Sequence, residues 1–128
     1  MIGSGKAPDE KWREERRARD RRGRRAEWLA ALVLRMRGYR ILAKREKSPL
    51  GEIDLIAIRG HRIAFVEVKQ RATLEAAEAA ISPAQRARIR RAANLWLARH
   101  PAFQAHDLGF DIVFLVGWRW PRHLENAL

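Results

Sequence analysis

Two strand-like apolar runs separated by a tight turn constrain this chain more than any other feature. The runs are Ile53–Ile58 and Ile63–Lys69, and the four residues between them read Arg-Gly-His-Arg. Glycine at the first position of a two-residue turn is typical of a β-hairpin. With Gly60 and His61 as the turn, the two flanking arginines pair with each other. This pairing sets the register of the whole hairpin.

The hairpin register brings charged side chains together at its open end. Counting along the ladder places Asp54 directly opposite Glu67, and Glu52 directly opposite Lys69. Side chains in this position have Cβ atoms about 4.5–5.5 Å apart. Alternation along the second strand puts Glu67 and Lys69 on one face. Two carboxylates at such a distance repel each other unless a cation lies between them.

Paired carboxylates beside a lysine suit metal-assisted hydrolysis of phosphodiesters. Carboxylate oxygens are preferred ligands of Mg²⁺ and Mn²⁺. The metal polarises the phosphate and acidifies a bound water, and an ammonium group orients that water or neutralises developing charge. The alternative is an edge hairpin whose charged end lies in water, with Glu52 and Lys69 as a surface ion pair of little energetic weight.

A helix and a short strand are predicted before this hairpin. Ala26–Arg37 has helical periodicity with apolar residues on two sides, and Gly38 supplies a helix stop. Tyr39–Ala43 is a strand candidate that ends in the polar run 44–48. A turn is expected at Pro49–Gly51.

A second helix and a last strand are predicted after the hairpin. Thr73–Ile81 is rich in alanine and weakly helical. Ser82 then begins a capping box with Gln85 at its third helical position, and the helix continues to about Arg99. Gly109–Val116 has the pattern of a buried strand. The order α-β-β-β-α-β predicts an α/β fold with a mixed central sheet flanked by helices.

The charge distribution indicates a polyanionic partner. Lys and Arg number 27 and Asp and Glu 15, which gives a net charge of +12. Residues 11–25 carry nine basic and three acidic side chains. Such a segment cannot bury an apolar face, so it is either disordered or a solvated extension of the next helix. Phosphate is its expected partner, because it lacks the apolar face that a membrane helix needs.

Composition places this chain among basic globular proteins. With 47% apolar residues in 128 it can bury a core, and without cysteine it has no thiolate ligand or nucleophile. No apolar run approaches a membrane span, and the first residues lack the apolar segment of a secretory signal. We therefore expect a cytoplasmic protein with a basic flexible N-terminal extension, 1–25, and one domain, 26–128.

Two segments of this chain resemble a known family. Gly51–Ala57, which reads GEIDLIA, and Phe65–Arg71, which reads FVEVKQR, look like the PD-(D/E)XK nuclease signature. In particular they resemble the YraN-like family of small bacterial proteins, which are related to archaeal Holliday-junction resolvases. The resemblance covers about residues 23–116 and implies the same α-β-β-β-α-β core.

The resemblance also implies roles for individual residues. Asp54 and Glu67 would be ligands of Mg²⁺ or Mn²⁺, together with the backbone carbonyl of Val68. Lys69 would be the catalytic lysine, and Glu27 would reach the same site from the first helix. The implied substrate is nucleic acid, expected to be structured or branched DNA, and cleavage of a branched junction would suggest a homodimer.

Three residues have both a structural and a site interpretation. Gln85 stands where related nucleases often have a lysine, but the capping box explains it without a function, and this explanation is preferred. Glu27 is either a site residue or a first-turn carboxylate stabilised by the helix dipole. Asp111, in the last predicted strand, either supports the site or satisfies local backbone groups.

Aromatic and histidine residues are also given structural interpretations. Trp118 and Trp120 flank Arg119 and could stack on unpaired bases, but we prefer a role in closing the core. The histidines lack the spacing of a zinc site and are predicted to be turn or surface residues. They are His61, His100, His106 and His123.

The preferred functional hypothesis is a metal-dependent endonuclease. The alternative is a nucleic-acid-binding module that keeps the fold and charge without cleaving. The carboxylates favour the enzyme, since they would repel DNA unless a metal neutralised them. A protein-interaction scaffold is the least favoured, because of the net charge of +12.

Overall fold

A computed structural model describes residues 8–128 of this chain. The expected flexible leader falls on residues 1–8, and all but the last of these lie outside the described residues. The elements follow in chain order: α1 (Pro8–Met36), β1 (Arg40–Ser48), β2 (Gly51–Arg59), β3 (Arg62–Arg71), α2 (Leu74–Ala79), α3 (Pro83–Arg99), a 3₁₀ turn (Pro101–Phe103), β4 (Asp107–Val116) and β5 (Arg122–Leu124).

The strands form one five-stranded mixed sheet in the order β1-β2-β3-β4-β5. The pairs β1–β2, β2–β3 and β4–β5 are antiparallel, and β3–β4 is parallel. The parallel pair requires a crossover, which α2 and α3 provide. The α/β class with helices flanking a mixed sheet is confirmed, and the fold is consistent with a restriction-endonuclease-like core. Strand β5 was not expected, because its three residues fall in the predicted tail.

Each face of the sheet buries a separate apolar cluster. The α1-side core joins small and branched residues of α1 to β2, β3 and β4: Ala26, Ala30, Ala31, Leu34, Leu55, Ala57, Ala64, Val66 and Val113. The α3-side core joins the apolar stripe of α3 to the other face: Ile89, Ala92, Ala93, Trp96, Leu97, Ile56, Phe65, Ile112 and Phe114. The sheet is therefore the middle of three layers.

The predicted hairpin turn is confirmed, and the predicted register holds for the part of the hairpin that is paired. Arg59 pairs with Arg62, and the ladder continues to Leu55 opposite Val66. Gly60 has a φ of +59°, a left-handed conformation that glycine adopts without strain. Strand β1, which pairs with the hairpin, is longer than its sequence pattern indicated, because it includes the polar run 44–48.

Helix α1 is longer than predicted at its N-terminal end. It starts at Pro8 and runs without a break past residue 25, so the expected boundary between extension and domain falls inside one helix. Residues 8–17 are exposed, and the first buried residue of α1 is Ala26. The basic run thus has the form of a solvated helical extension. The division of the chain into 1–25 and 26–128 as separate units remains a prediction.

Among the described residues, no helix combines the length and apolar character that a membrane crossing requires.

Candidate metal centre at the open end of the hairpin

The β2–β3 ladder ends one step before the carboxylate pair that the register predicted. Its last partners are Leu55 and Val66. Beyond them Asp54 accepts, through Oδ2, a hydrogen bond of 2.8 Å from the backbone N–H of Val68. The strands therefore separate at this point, and a carboxylate replaces a carbonyl as the acceptor for β3. This contact holds the Asp54 side chain in a defined position.

Three carboxylates converge beside this hydrogen bond. Glu27 from α1 and Glu52 and Asp54 from β2 each place one oxygen within 4.8 Å of the other two. The structure thus brings Glu27 and Asp54 together as the resemblance implied. It adds Glu52, which the predicted register had assigned to Lys69. Glu67 is not a member of this group of three.

The proximity of like charges affects the ionisation of Asp54. Burial raises its pKa from 3.8 to about 7, with a further contribution from the negative charge of Glu67. The hydrogen bond from Val68 opposes this shift, and the charges of Glu27 and Glu52 add to it. A carboxylate whose ionised form is disfavoured by burial and by neighbouring negative charges gains stability when a divalent cation binds beside it. The donor set, all oxygen, fits Mg²⁺ or Mn²⁺.

Glu27 has a basic neighbour that the sequence did not predict. Arg45 of β1 donates from Nε to Oε2 of Glu27 over 2.5 Å, and this bond is the main cause of the raised pKa of Arg45. Arg45 has a φ of +50°, a strained conformation for a non-glycine residue. The interpretation of Glu27 as a first-turn residue is wrong, because α1 begins as far back as Pro8.

Glu67 is held by a lysine and a glutamine rather than by Asp54. Lys69 Nζ lies 3.0 Å from Glu67 Oε1, and the two side chains are only 12% and 13% exposed. Gln85 Nε2 donates to the same oxygen over 2.6 Å. Lys69 therefore pairs with Glu67 within β3, and not with Glu52 as in the alternative interpretation of the hairpin.

The cap of α3 explains how Gln85 reaches the hairpin. Ser82 Oγ accepts from the backbone N–H of Gln85 at 3.1 Å, as the capping box predicted. The side chain of Gln85 does not complete the box. Because its amide contacts Glu67 on β3, the purely structural explanation of Gln85 is incomplete.

A recess of about 280 Å³ opens above Asp54. The arginines Arg19 and Arg22 of α1 form part of its wall, while Glu27 and Asp54 line it as well. Val68 also lines it, and its carbonyl role remains a prediction. Two arginines and two carboxylates thus line the same recess.

A second buried polar cluster lies along β3, β4 and β5. Asp111 is fully buried and accepts two hydrogen bonds of 2.7 Å from the guanidinium of Arg62. His123 Nε2 lies 2.8 Å from Asp111 Oδ2, and the backbone N–H of Asn126 donates to Oδ1 at 2.9 Å. These partners outweigh the cost of burial and hold the pKa of Asp111 well below its usual range.

Two predictions are corrected by this cluster. His123 is neither a turn nor a surface residue, since its side chain is fully buried against Asp111. A Cβ atom at position 109 would lie 2.1 Å from the Arg62 guanidinium, so a larger residue than Gly109 would displace the group that binds Asp111. Asp111 contacts side chains from two other strands, beyond local backbone groups. The pattern that could have indicated this is the single acidic residue in an otherwise apolar strand.

The tryptophans near the end of the chain do not close the core. Trp118 and Trp120 are 102% and 66% exposed, in the segment between β4 and β5. The preferred prediction was therefore wrong, and the base-stacking alternative is the one compatible with their exposure.

The fold and this site together define a class of protein. It is an α/β protein with a restriction-endonuclease-like core and an acidic cluster beside a basic helix. The profile of the Uncharacterised protein family UPF0102 matches residues 26–115, and this chain belongs to that family. The match confirms the resemblance to the YraN-like proteins.

Relatives in several bacteria have a similar length. A UPF0102 protein of Methylorubrum extorquens is 58% identical over 112 residues, which is 88% of each chain. One from Chelativorans is 55% identical over 106 residues, 83% of this chain and 86% of its own. One from Parvibaculum lavamentivorans is 52% identical over 107 residues, 84% of this chain and 80% of its own.

Proposed function

We propose that this protein is a metal-dependent endonuclease that hydrolyses phosphodiester bonds in structured or branched DNA. The observation that carries the proposal is the convergence of Glu27, Glu52 and Asp54 within 4.8 Å of one another. Asp54 supports it further, because burial and neighbouring negative charges disfavour its ionised form, and a bound cation would offset both effects.

The carboxylates of this cluster would hold Mg²⁺ or Mn²⁺. Asp54 is the central ligand, since the N–H of Val68 fixes its carboxylate and Glu27 and Glu52 lie beside it. Glu67 and the carbonyl of Val68 complete the set that the family resemblance implies. When bound, such a metal would polarise the phosphate and lower the pKa of a bound water molecule.

Lys69 is the residue that would interact with the reacting groups, which are the attacking water and the phosphate. Its ammonium lies 3.0 Å from Glu67, which orients it, and Gln85 in turn fixes Glu67. An ammonium held in this way can orient the attacking water or neutralise the charge that develops on the phosphate. Lys69 thus contributes mainly to the transition state, and little to substrate affinity.

The basic surface would bind the DNA backbone. Arg19 and Arg22 border the recess that contains Asp54, and the charge of the chain is +12. Phosphate contacts from these residues would set the orientation of the duplex without reading its sequence. A two-fold symmetric junction would require two copies of the chain, one for each cut.

A non-catalytic DNA-binding module is the second candidate, and one observation favours it. Arg45 already pairs with Glu27 and Lys69 with Glu67, so two of the four acidic groups are partly neutralised without a metal. Such a module would bind DNA at the same surface and leave it uncut.

Cleavage assays over a substrate panel distinguish the two candidates. The substrates are a four-way junction, a flap, a duplex and a single strand, each with Mg²⁺, Mn²⁺ or EDTA. We expect wild-type protein to cut a branched substrate in either metal and none in EDTA. Asp54→Asn should abolish cutting, and Glu78→Gln, at an exposed position on α2, is the matched control that should cut normally.

Binding measured beside cleavage separates the roles within the site. Lys69→Ala should reduce cleavage at least 100-fold while changing DNA affinity less than about 3-fold, because it removes one of 27 basic residues. The nuclease proposal fails if wild-type protein cuts none of the substrates and binds them equally with and without metal.

A further inference from the structure

An aromatic platform lies next to the candidate metal centre. It consists of Trp118 and Trp120, in the segment between β4 and β5, together with Arg119 between them. Both indole rings are largely exposed, at 102% and 66%. Most tryptophans of folded proteins bury much of their surface, so two such rings two residues apart indicate a binding surface.

The platform is continuous with the recess above Asp54. It borders a second recess of about 420 Å³, whose walls include Arg22, Arg25 and Gln70. Arg22 and Gln70 also line the recess that contains Asp54 and Glu27. A single extended ligand can therefore pass from the carboxylates to the tryptophans along one shared wall.

The chemistry around the rings identifies the ligand. Arg22, Arg25 and Arg119 line the same recess as the two tryptophans, and their guanidinium groups suit the phosphates of a nucleic-acid strand. Flat, exposed aromatic rings beside such cations can stack on nucleobases that are not paired in a duplex. The arginines of this recess favour a polyanion over a second copy of this chain, whose net charge is also +12.

We propose that Trp118 and Trp120 stack on unpaired nucleotides of a DNA substrate that leave the duplex beside the cut site. The inference rests on the proposed function for its position relative to a scissile phosphate, but the stacking requires no metal. It assigns the protein a substrate with a single-stranded segment next to the cleaved bond, such as the arm of a flap or an opened junction.

Equilibrium binding in EDTA tests the platform independently of cleavage. The probes are a fluorescein-labelled single-stranded DNA oligonucleotide and a blunt duplex of the same length. Trp118→Ala and Trp120→Ala should each weaken single-strand binding by about 5-fold or more, and duplex binding by less than 2-fold. Trp118→Phe and Trp120→Phe keep a ring and should stay within about 3-fold of wild type.

Trp28→Ala is the matched control. This residue is an exposed tryptophan of α1 that lines neither recess, and its removal should leave both affinities unchanged. Equal losses for the two probes, a similar loss in Trp28→Ala, or no loss at either platform position would overturn the inference. Sedimentation that changes in the platform variants while DNA binding does not would assign the rings to self-association and also reject it.

The outcomes separate this inference from the proposed function. Selective loss of single-strand binding without any cleavage by wild-type protein leaves the platform standing and rejects the nuclease. Unchanged binding by variants of a protein that cleaves rejects the platform and leaves the nuclease standing.

Discussion

Asp54 is the residue at which folding and the proposed chemistry oppose each other. Burial and the charge of Glu67 raise its pKa to about 7, so the folded protein holds a proton on it more tightly than the unfolded chain does. The ionised form, which a metal requires, is therefore the form that the apo fold disfavours. Such a conflict is common at functional sites, where the charged form of a residue is stabilised only when the ligand is bound.

Replacing Asp54 with asparagine should stabilise the apo protein at neutral pH. Between pH 3.8 and about 7 the wild type releases a proton more readily when unfolded, so its stability falls across this range relative to Asp54→Asn. The difference above pH 7 is expected to reach up to about 4 kcal/mol, at about 1.4 kcal/mol for each pKa unit. Urea denaturation in EDTA at pH 4.5, 6 and 7.5 measures it.

Metal addition supplies the control for this experiment. Millimolar Mn²⁺ should stabilise the wild type and leave Asp54→Asn unchanged, since only the folded carboxylate cluster binds the ion. If the free energy of unfolding depended on pH equally in both proteins, the titration of Asp54 would not be the cause of that dependence.

The positions of individual side chains were the least predictable part of the site. Asp54, Glu67 and Lys69 could be selected because charged residues interrupt an apolar alternation. The contact of Asp54 with a backbone N–H, and the left-handed conformation of Arg45, depend on where the strands separate. No local pattern encodes that point. Trp118 and Trp120 were misassigned because hydrophobicity alone does not show that both faces of the sheet are already covered by helices.

At the scale of elements, the two ends of α1 have different surroundings. Its C-terminal part packs on the sheet through Ala26, Ala30 and Leu34. Its N-terminal part is exposed and basic, and only one side of it, with Arg19 and Arg22, borders the site. Helical periodicity places Arg17 and Arg24 on the opposite side.

A pair of double variants should distinguish the two sides of α1. Arg19→Gln with Arg22→Gln is expected to weaken DNA binding and to lower the slope of log K against log salt by about 1.8, if each arginine contacts one phosphate. Arg17→Gln with Arg24→Gln removes the same charge and should change the slope by less than half as much. Fluorescence anisotropy over a salt series measures both. Equal slopes would mean that the helix attracts DNA without a preferred side.

The elements themselves were largely predictable, for physical reasons that differ along the chain. The hairpin followed from period-two alternation and one glycine, and α3 from a serine cap that the structure retains. The N-terminal end of α1 was not predictable from periodicity, because residues 8–25 have no apolar stripe to reveal a helix. Strand β5 is three residues long and carries no pattern of its own.

At the scale of the whole molecule, one buried ion pair joins distant parts of the chain. Arg62 of β3 binds Asp111 of β4 and donates to the hydroxyl of Tyr39, which precedes β1. Asp111 also contacts His123 of β5. The cluster therefore connects the edge and the centre of the sheet on the side covered by α1.

Replacing Arg62 with methionine should destabilise the whole domain. The side chain keeps its apolar length, but Asp111 is left fully buried without its main cationic partner. Removal of one member of a buried pair typically costs about 3–5 kcal/mol. Chemical denaturation measures this loss, and Arg40→Met, at an exposed position of β1, is the control that should cost less than about 1 kcal/mol. A loss for Arg62→Met no larger than for the control would contradict the structural role of the pair.

In the proposed complex with DNA, the length of α1 would set how far along the duplex the protein extends. Eighteen residues of helix, Pro8–Arg25, precede its first buried position, and at 1.5 Å per residue they span about 27 Å. That distance equals about eight base pairs at 3.4 Å each. We therefore expect efficient binding to require a minimum duplex length on the side of the cut that α1 contacts. Trimming that arm below about eight base pairs should weaken binding stepwise, whereas trimming the other arm should not.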